Sequence, residues 1–465
     1  MAMCLDWVQH CWPFCMLARP NRFHLPYSIC RGESFILWDL GFFLANPQSR
    51  VDGGHLVWGT VTVQTYLGGE CVTLMIRAIW PSYNNLPNTI PAGAGVTTQQ
   101  FVSFFLFWLG SLPALWFPIY KIRHLFTVKA YFSPACAFAF FGWAIARAHG
   151  LGPIITQSNT AHGSTLAWVF IKSIMNCIAN FAALVINNPD FARYARKPQD
   201  ALWPQLITIP VGFAITSFIG IIVSSSSTVI FNQPVWNPLT LLGMFLENAT
   251  SAERFGIFVI SSGFALAQLG TNIAANSVSA GTNLTALLPR FCTIRRGGYF
   301  CAAIGLAMCP WTLVASSNNF TIYLSAYSVF LSSIAGVMAS DYFLVRKGYL
   351  DIEQLYSADK NGPYYGVYGV SWHGYAAYFC GILINIVGFA GVVGANVPSG
   401  AIYIYNLNYF TGFIVSAGVY WILATLVPLP LTSKSWNEVP YEVSPLSDLE
   451  LKKQGVEGAE HMENV

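Results

Sequence analysis

The sequence predicts an all-α, polytopic membrane protein, and three observations carry that prediction. Of 465 residues, 54% are hydrophobic and only 9% are charged, whereas soluble domains carry about 25% charged residues. Apolar runs of about twenty residues, the length that crosses a bilayer as a helix, recur between Gly- and Pro-rich breaks. Lys and Arg gather in alternate connections, at Lys121/Arg123/Lys129, Arg193/Arg196/Lys197, Arg290/Arg295/Arg296 and Arg346/Lys347. The intervening connections, such as "PSYNNLPNTIPAGAGVTT" and "GLGPIITQSNTAHG", contain neither. By the positive-inside rule the basic connections and the C-terminus face the cytoplasm.

Taken in order, residues 1–55 form an irregular segment. Positions 1–33 show no coherent pattern, and "SFILWDLGFFLANP" is too short to span and carries Asp39. Asp6 and His10 interrupt any apolar core at the start, so no cleavable signal peptide is expected. A membrane domain covers 56–430, with ten spans near 56–79, 100–120, 126–147, 165–188, 203–231, 255–287, 298–316, 319–344, 374–394 and 406–427. Residues 431–465 are polar and read as a disordered cytoplasmic tail. The eleven cysteines are scattered without a CxxC pair and read as packed thiols. Cys4, His10, Cys11 and Cys15 match no standard zinc spacing, so no metal site is expected.

The polar residues inside the spans carry the functional signal. In "LGTNIAANSVSAGTNL", Asn272, Asn276, Ser279 and Asn283 follow i, i+4, i+7, i+11 and form one stripe on a helix. Thr60, Gln64, Gly68 and Cys71 share a face of the first span, and Asn176, Asn180 and Phe181 interrupt the fourth. That fourth segment reads as a helix loosened at mid-membrane. Small residues and hydroxyls serve helix packing, but Asn272 and Asn276 exceed what packing alone favours. Side-chain amides offer donor and acceptor side by side without a charge to desolvate. Beside an aromatic face they suit a flat, neutral ligand with an N–H/C=O edge: a pyrimidine, a purine or a ureide. Glu70 and Lys172 read as snorkelling or loop-paired charges, with a proton-coupling site as the alternative for each.

The motifs "GTNIAANSVSAG", "NNPDFARYAR", "TIRRGGYF" and "LSAYSVFLSSIAGVMASDYFLVRKGYLDIEQLY" resemble the nucleobase–cation symporter 1 family, in particular its fungal uracil/allantoin branch. The resemblance runs from about Val57 to Pro430. It implies an inverted five-plus-five helix repeat with two further C-terminal helices, and a mid-membrane substrate site opened alternately to either side. Residue by residue, it implies that Asn276 and Gln64 hold a ligand, that Phe181 stacks on it, and that Asn180 lies beside them. It places the cation pocket of sodium-coupled members at Ala267, Gly270 and Thr271, and an outer selectivity gate at Leu324 and Tyr327. The fungal branch couples to protons, so a proton, or sodium as the lesser alternative, is the expected coupling ion, with no cofactor.

The chain departs from the family at three places. Thr60 stands where the family has a stacking tryptophan, and Asn283 stands where the branch has an aspartate, at the coupling position. The family's first helix has no counterpart and its second is degraded within 19–57, which suggests a mis-set start or splice boundary, or a decaying gene. Two function classes therefore stay open. One is a proton symporter importing uracil, allantoin or a related neutral heterocycle across the plasma membrane. The other is a non-transporting membrane protein, either a substrate sensor or an inactive remnant. No metal cluster, GxSxG or acid pair on one helical face points to an enzyme, and nothing points to nucleic acid. Asp190 with Arg193, and Asp341 with Arg346, read either as helix-end pairs or as an inner gate. The tail lysines Lys452 and Lys453 are candidate attachment points for ubiquitin machinery.

Overall fold

The computed structural model describes residues 55–436, apart from 118–120, 159–161, 193–197, 279, 282–283, 286–290, 308–309, 312–316, 350–361, 365, 367–370 and 393. The helices are α1 (His55–Ile79), α2 (Thr98–Trp116), α3 (Arg123–Ala148), α4 (Gly163–Ala192), α5 (Pro198–Phe231), α6 (Pro238–Leu246), α7 (Ser251–Thr271), α8 (Ile294–Ala307), α9 (Ser317–Ala339), α10 (Trp372–Val392), α11 (Ser399–Tyr405) and α12 (Asn408–Leu426), and the expected spans 255–287 and 298–316 lie partly outside the described residues. Two π-helical segments follow α7 and α9 directly, at Asn272–Val278 and Ser340–Val345. Among the described residues, six helices are long and apolar enough to cross a membrane. Large apolar side chains such as Phe170, Leu202, Phe218, Leu383 and Ile414 are exposed, the pattern of a surface solvated by hydrocarbon rather than water.

The chain divides into two compact units. The first takes the chain up to Leu331 together with Asn385–Tyr409, and the second takes Ser332–Ile384 together with the chain from Phe410 onward. In the first unit, α7 lies chiefly against α1 and α3, and α2 covers another side of α1. The core joins Leu67, Cys71 and Leu74 of α1, Phe140 of α3, Leu241, Leu242 and Phe245 of α6, and Ile257 and Phe264 of α7. Helix starts follow from their sequences. Thr250 and Glu253 form a capping box at α7, and Thr97 and Gln100 form one at α2. Asn237 caps α6 through its Oδ1, which accepts from the Leu239 N–H, with Pro238 at the first position. Asn237 also donates from Nδ2 to Glu70 at 3.3 Å, so Glu70 is loop-paired. Arg254 closes the other end of α1 by donating to the Ala78 carbonyl at 2.7 Å.

Close approach of α1 and α2 depends on Gly69. A Cβ there would lie 2.6 Å from the Phe104 Cα and 2.8 Å from its nitrogen, both backbone atoms that cannot swing aside. Gly69→Val is therefore expected to destabilise the protein by about 1–3 kcal/mol through forced separation of the two helices. A lowered unfolding midpoint in detergent would register this, and an unchanged midpoint would refute it.

In the second unit, α9, α10 and α12 come together through small polar contacts such as Ser340 Oγ donating to the Ala417 carbonyl at 2.9 Å. The segment Ser340–Val345 brings Asp341 and Arg346 together, with Arg346 Nε 3.0 Å from Asp341 Oδ2. Tyr420 of α12 donates to Asp341 Oδ1 at 2.7 Å, and Arg346 reaches the Pro430 carbonyl at 3.4 Å. Trp436 stacks on Phe343 with ring centroids 6.0 Å apart. The chain from Pro430 to Trp436 is thus anchored to the end of α9.

Candidate functional site

The site is built where α1, α3 and the end of α7 meet. Antiparallel α3 and α7 are stitched along their length by residues spaced i, i+4, i+7 on α3, one face of a helix. Cys136 Sγ donates to the Val259 carbonyl at 3.6 Å, Ser133 Oγ to the Gly263 carbonyl at 2.9 Å, and Lys129 Nζ to Thr271 Oγ1 at 2.8 Å. The first two contacts consume backbone carbonyls of α7. The third brings an ammonium group to the last α-helical residue before the π segment.

Lys129 reverses a sequence expectation. Its position beside Lys121 and Arg123 in the sequence predicts a charge of a cytoplasmic connection, yet the residue is only 1% exposed. Its ammonium and stem fill the space over Gly270, where an added Cβ would fall 2.5 Å from Cδ and 3.1 Å from Nζ. Of the implied cation pocket, Ala267, Gly270 and Thr271 are all buried, and Lys129 lies against two of them. The signal was present in "RHLFTVKAYFSP": a lone lysine one turn and a half inside an apolar helix, beyond easy snorkelling reach of a short connection.

From Asn272 the helix widens to i→i+5 pairing, the kind of local insertion that recurs at functional sites. Asn272 is buried and donates from Nδ2 to Thr65 Oγ1 on α1 at 3.0 Å. Asn276 donates from Nδ2 to Asn272 Oδ1 at 3.2 Å. Gln64, the neighbour of Thr65, is 7% exposed. Its Oε1 is buried and has no hydrogen-bond partner among the described residues. A buried amide oxygen left without a donor costs about 1–3 kcal/mol, a debt that an entering N–H would cancel. Thr65 thus ties α1 to Asn272 and through it to Asn276, and Gln64 is the chain neighbour of Thr65 on α1. Thr65 was missed by the sequence reading because a threonine on a buried helix face looks like packing.

Other expected site residues lie outside what can be described. Asn283 and Arg193 fall outside the described residues, as do the side chains of Thr60, Asn180, Phe181, Asp190, Leu324 and Tyr327. The backbone of α4 runs unbroken from Gly163 to Ala192. A loosened, π-helical stretch is found at 272–278 instead, between Asn272 and Val278.

Residues 50–412 match the family of permeases for cytosine/purines, uracil, thiamine and allantoin. The chain belongs to this family. Among relatives, it is 47% identical over 433 residues to the allantoin permease of Saccharomyces cerevisiae, an alignment covering 90% of this chain and 67% of that protein. It is 43% identical over 420 residues to the uracil permease of the same organism, covering 88% and 65%. An uncharacterized permease of Schizosaccharomyces pombe is 46% identical over 422 residues, covering 90% and 70%. The chain spans about two thirds of the length of these relatives. The structure of Mhp1, a nucleobase-cation-symport-1 family transporter in a closed conformation with bromovinylhydantoin bound, matches with a TM-score of 0.54. At 19% identity, over 92% of this chain and 94% of that one, this likeness establishes the fold. Family and relatives are membrane permeases, not enzymes.

Proposed function

We propose that this permease carries a small neutral heterocycle, uracil, allantoin or a close relative, by alternating access, with the proton as coupling ion. The observation that carries the substrate class is the buried Gln64 Oε1 without a donor, one residue from the Thr65–Asn272–Asn276 chain. Uncharged amides at such a junction match the donor and acceptor of an amide edge, and bring no charge to balance that of a carboxylate or an ammonium. Support for proton over sodium coupling comes from Lys129. A resident ammonium beside Thr271 already supplies the positive charge that a sodium ion would bring to this pocket. Leu324 and Tyr327 remain the proposed selectivity gate, and the plasma membrane the proposed location.

Vesicles reconstituted with the full chain and given labelled uracil or allantoin test this reading. Saturable uptake is expected, and Asn276→Ala and Gln64→Ala should each weaken binding by roughly 10–100-fold, the cost of leaving one ligand group unpaired. Undiminished binding in both variants would remove the site assignment. The alternative, a sensor or inactive remnant, is favoured by Thr60 standing at the stacking position. Thermal stabilisation by ligand without uptake would select it.

A further inference from the structure

Asn272 is bonded to Asn276, one of the two groups assigned to the ligand, yet has no place of its own in that assignment. It is the first residue of the π-helical segment and is 5% exposed. Both ends of its amide are engaged: Nδ2 donates to Thr65 Oγ1 at 3.0 Å, and Oδ1 accepts from Asn276 Nδ2 at 3.2 Å. A primary amide is planar, with oxygen and nitrogen of nearly equal size, so an isolated Asn276 could present either edge to a ligand. The bond to Asn272 removes that freedom. With one Nδ2 hydrogen given to Asn272, the Asn276 carbonyl oxygen is left as an acceptor for a ligand N–H.

We infer that Asn272, clamped by Thr65, is a specificity-determining positioning residue that fixes Asn276 as a hydrogen-bond acceptor and so selects ligands presenting N–H donors. This rests on the proposed heterocycle site. Gln64 contributes the second acceptor, since its buried Oε1 has no donor among the described residues. Two acceptors suit a ligand with two N–H groups beside a carbonyl, the pattern of a urea unit in a ring or a ureide. A ring nitrogen with a lone pair at the same place would meet oxygen lone pairs and leave both sides unsatisfied. Sites built to pair a particular polar group reject its counterpart far better than sites that only enclose a shape.

The experiment compares uracil and allantoin, which bring ring or ureide N–H groups, with cytosine, close to uracil in size but bearing an acceptor nitrogen in place of one N–H. Affinities are measured by equilibrium binding to the full chain in lipid nanodiscs, for wild type, Asn272→Ala, Thr65→Val and Thr65→Ser. Wild type should prefer the better of the two N–H ligands over cytosine by roughly tenfold or more. Asn272→Ala and Thr65→Val should bring that ratio close to one, while Thr65→Ser, which keeps the hydroxyl, should preserve it. Equal weakening of all ligands, with the ratio intact, would reduce Asn272 to a packing residue and overturn the inference alone. A wild-type preference for cytosine would also overturn it, because Asn276 would then be presenting its N–H edge. Failure of wild type to bind any of the three would overturn both this inference and the heterocycle reading. Unfolding midpoints of the four proteins separate an altered ratio from a lost fold, and Thr65→Val, compared with Thr65→Ser, carries the test if Asn272→Ala does not fold.

Discussion

Lys129→Met is expected to leave the fold standing while lowering gradient-driven uptake by about tenfold or more. Two terms oppose each other in the stability of this variant. Thr271 Oγ1 loses a donor at 2.8 Å, worth about 1 kcal/mol. Against that, replacing a buried ammonium with an apolar group of similar volume is often neutral or stabilising, since the charge no longer has to be held out of water. Methionine also keeps the stem that fills the space over Gly270, so no cavity opens. The functional effect has no such compensation. If the ammonium is the resident cation of the coupling pocket, its removal disconnects substrate movement from the proton gradient without touching Gln64 or Asn276. Counterflow exchange, which needs no gradient, should persist in vesicles where accumulation against a gradient has gone. Full accumulation by Lys129→Met, or a sodium requirement in wild type, would end this account of coupling.

The helical class and the buried amides Asn272 and Asn276 were legible because each rests on a strong local signal. Run length, charge exclusion and periodicity all survive without knowledge of tertiary contacts. What was not legible depends on how helices register against one another. Lys129 was read as a connection charge because it lies near Lys121 and Arg123 in sequence. Only the antiparallel pairing of α3 with α7 carries it to Thr271. Thr65 was invisible for the same reason: its role is set by Asn272, 207 positions away. The π segments were illegible because i→i+5 pairing leaves no compositional mark. An α-helical template puts Asp341 and Arg346 on different faces, whereas the Arg346 N–H reaches the Asp341 carbonyl at 2.8 Å. The family resemblance located Gln64 and Asn276 but gave no hint of the hydrogen bonds that orient them.

Asp341→Ala is expected to be the most destabilising single change in the second unit, by about 3–5 kcal/mol, because it leaves a buried guanidinium without its carboxylate. The Arg346 side chain is 8% exposed and its Nε lies 3.1 and 3.0 Å from the two Asp341 oxygens. The same carboxylate accepts from Tyr420 on α12 at 2.7 Å. Removing it therefore loosens the end of α9, its tie to α12, and the anchor at Pro430 that Arg346 provides. Removing both charges together in Asp341→Ala/Arg346→Met should cost much less than the sum of the single changes, as expected for partners that share one burial penalty. This comparison also bears on the proposed inner gate. A gate must open during the cycle, so a variant that weakens the pair slightly, such as Tyr420→Phe, should alter the rate of uptake more than the affinity for ligand. A fixed clasp predicts the opposite pattern, with a lower unfolding midpoint and unchanged kinetics in the protein that remains folded. Measuring midpoint and uptake rate on the same preparation of Tyr420→Phe decides between them.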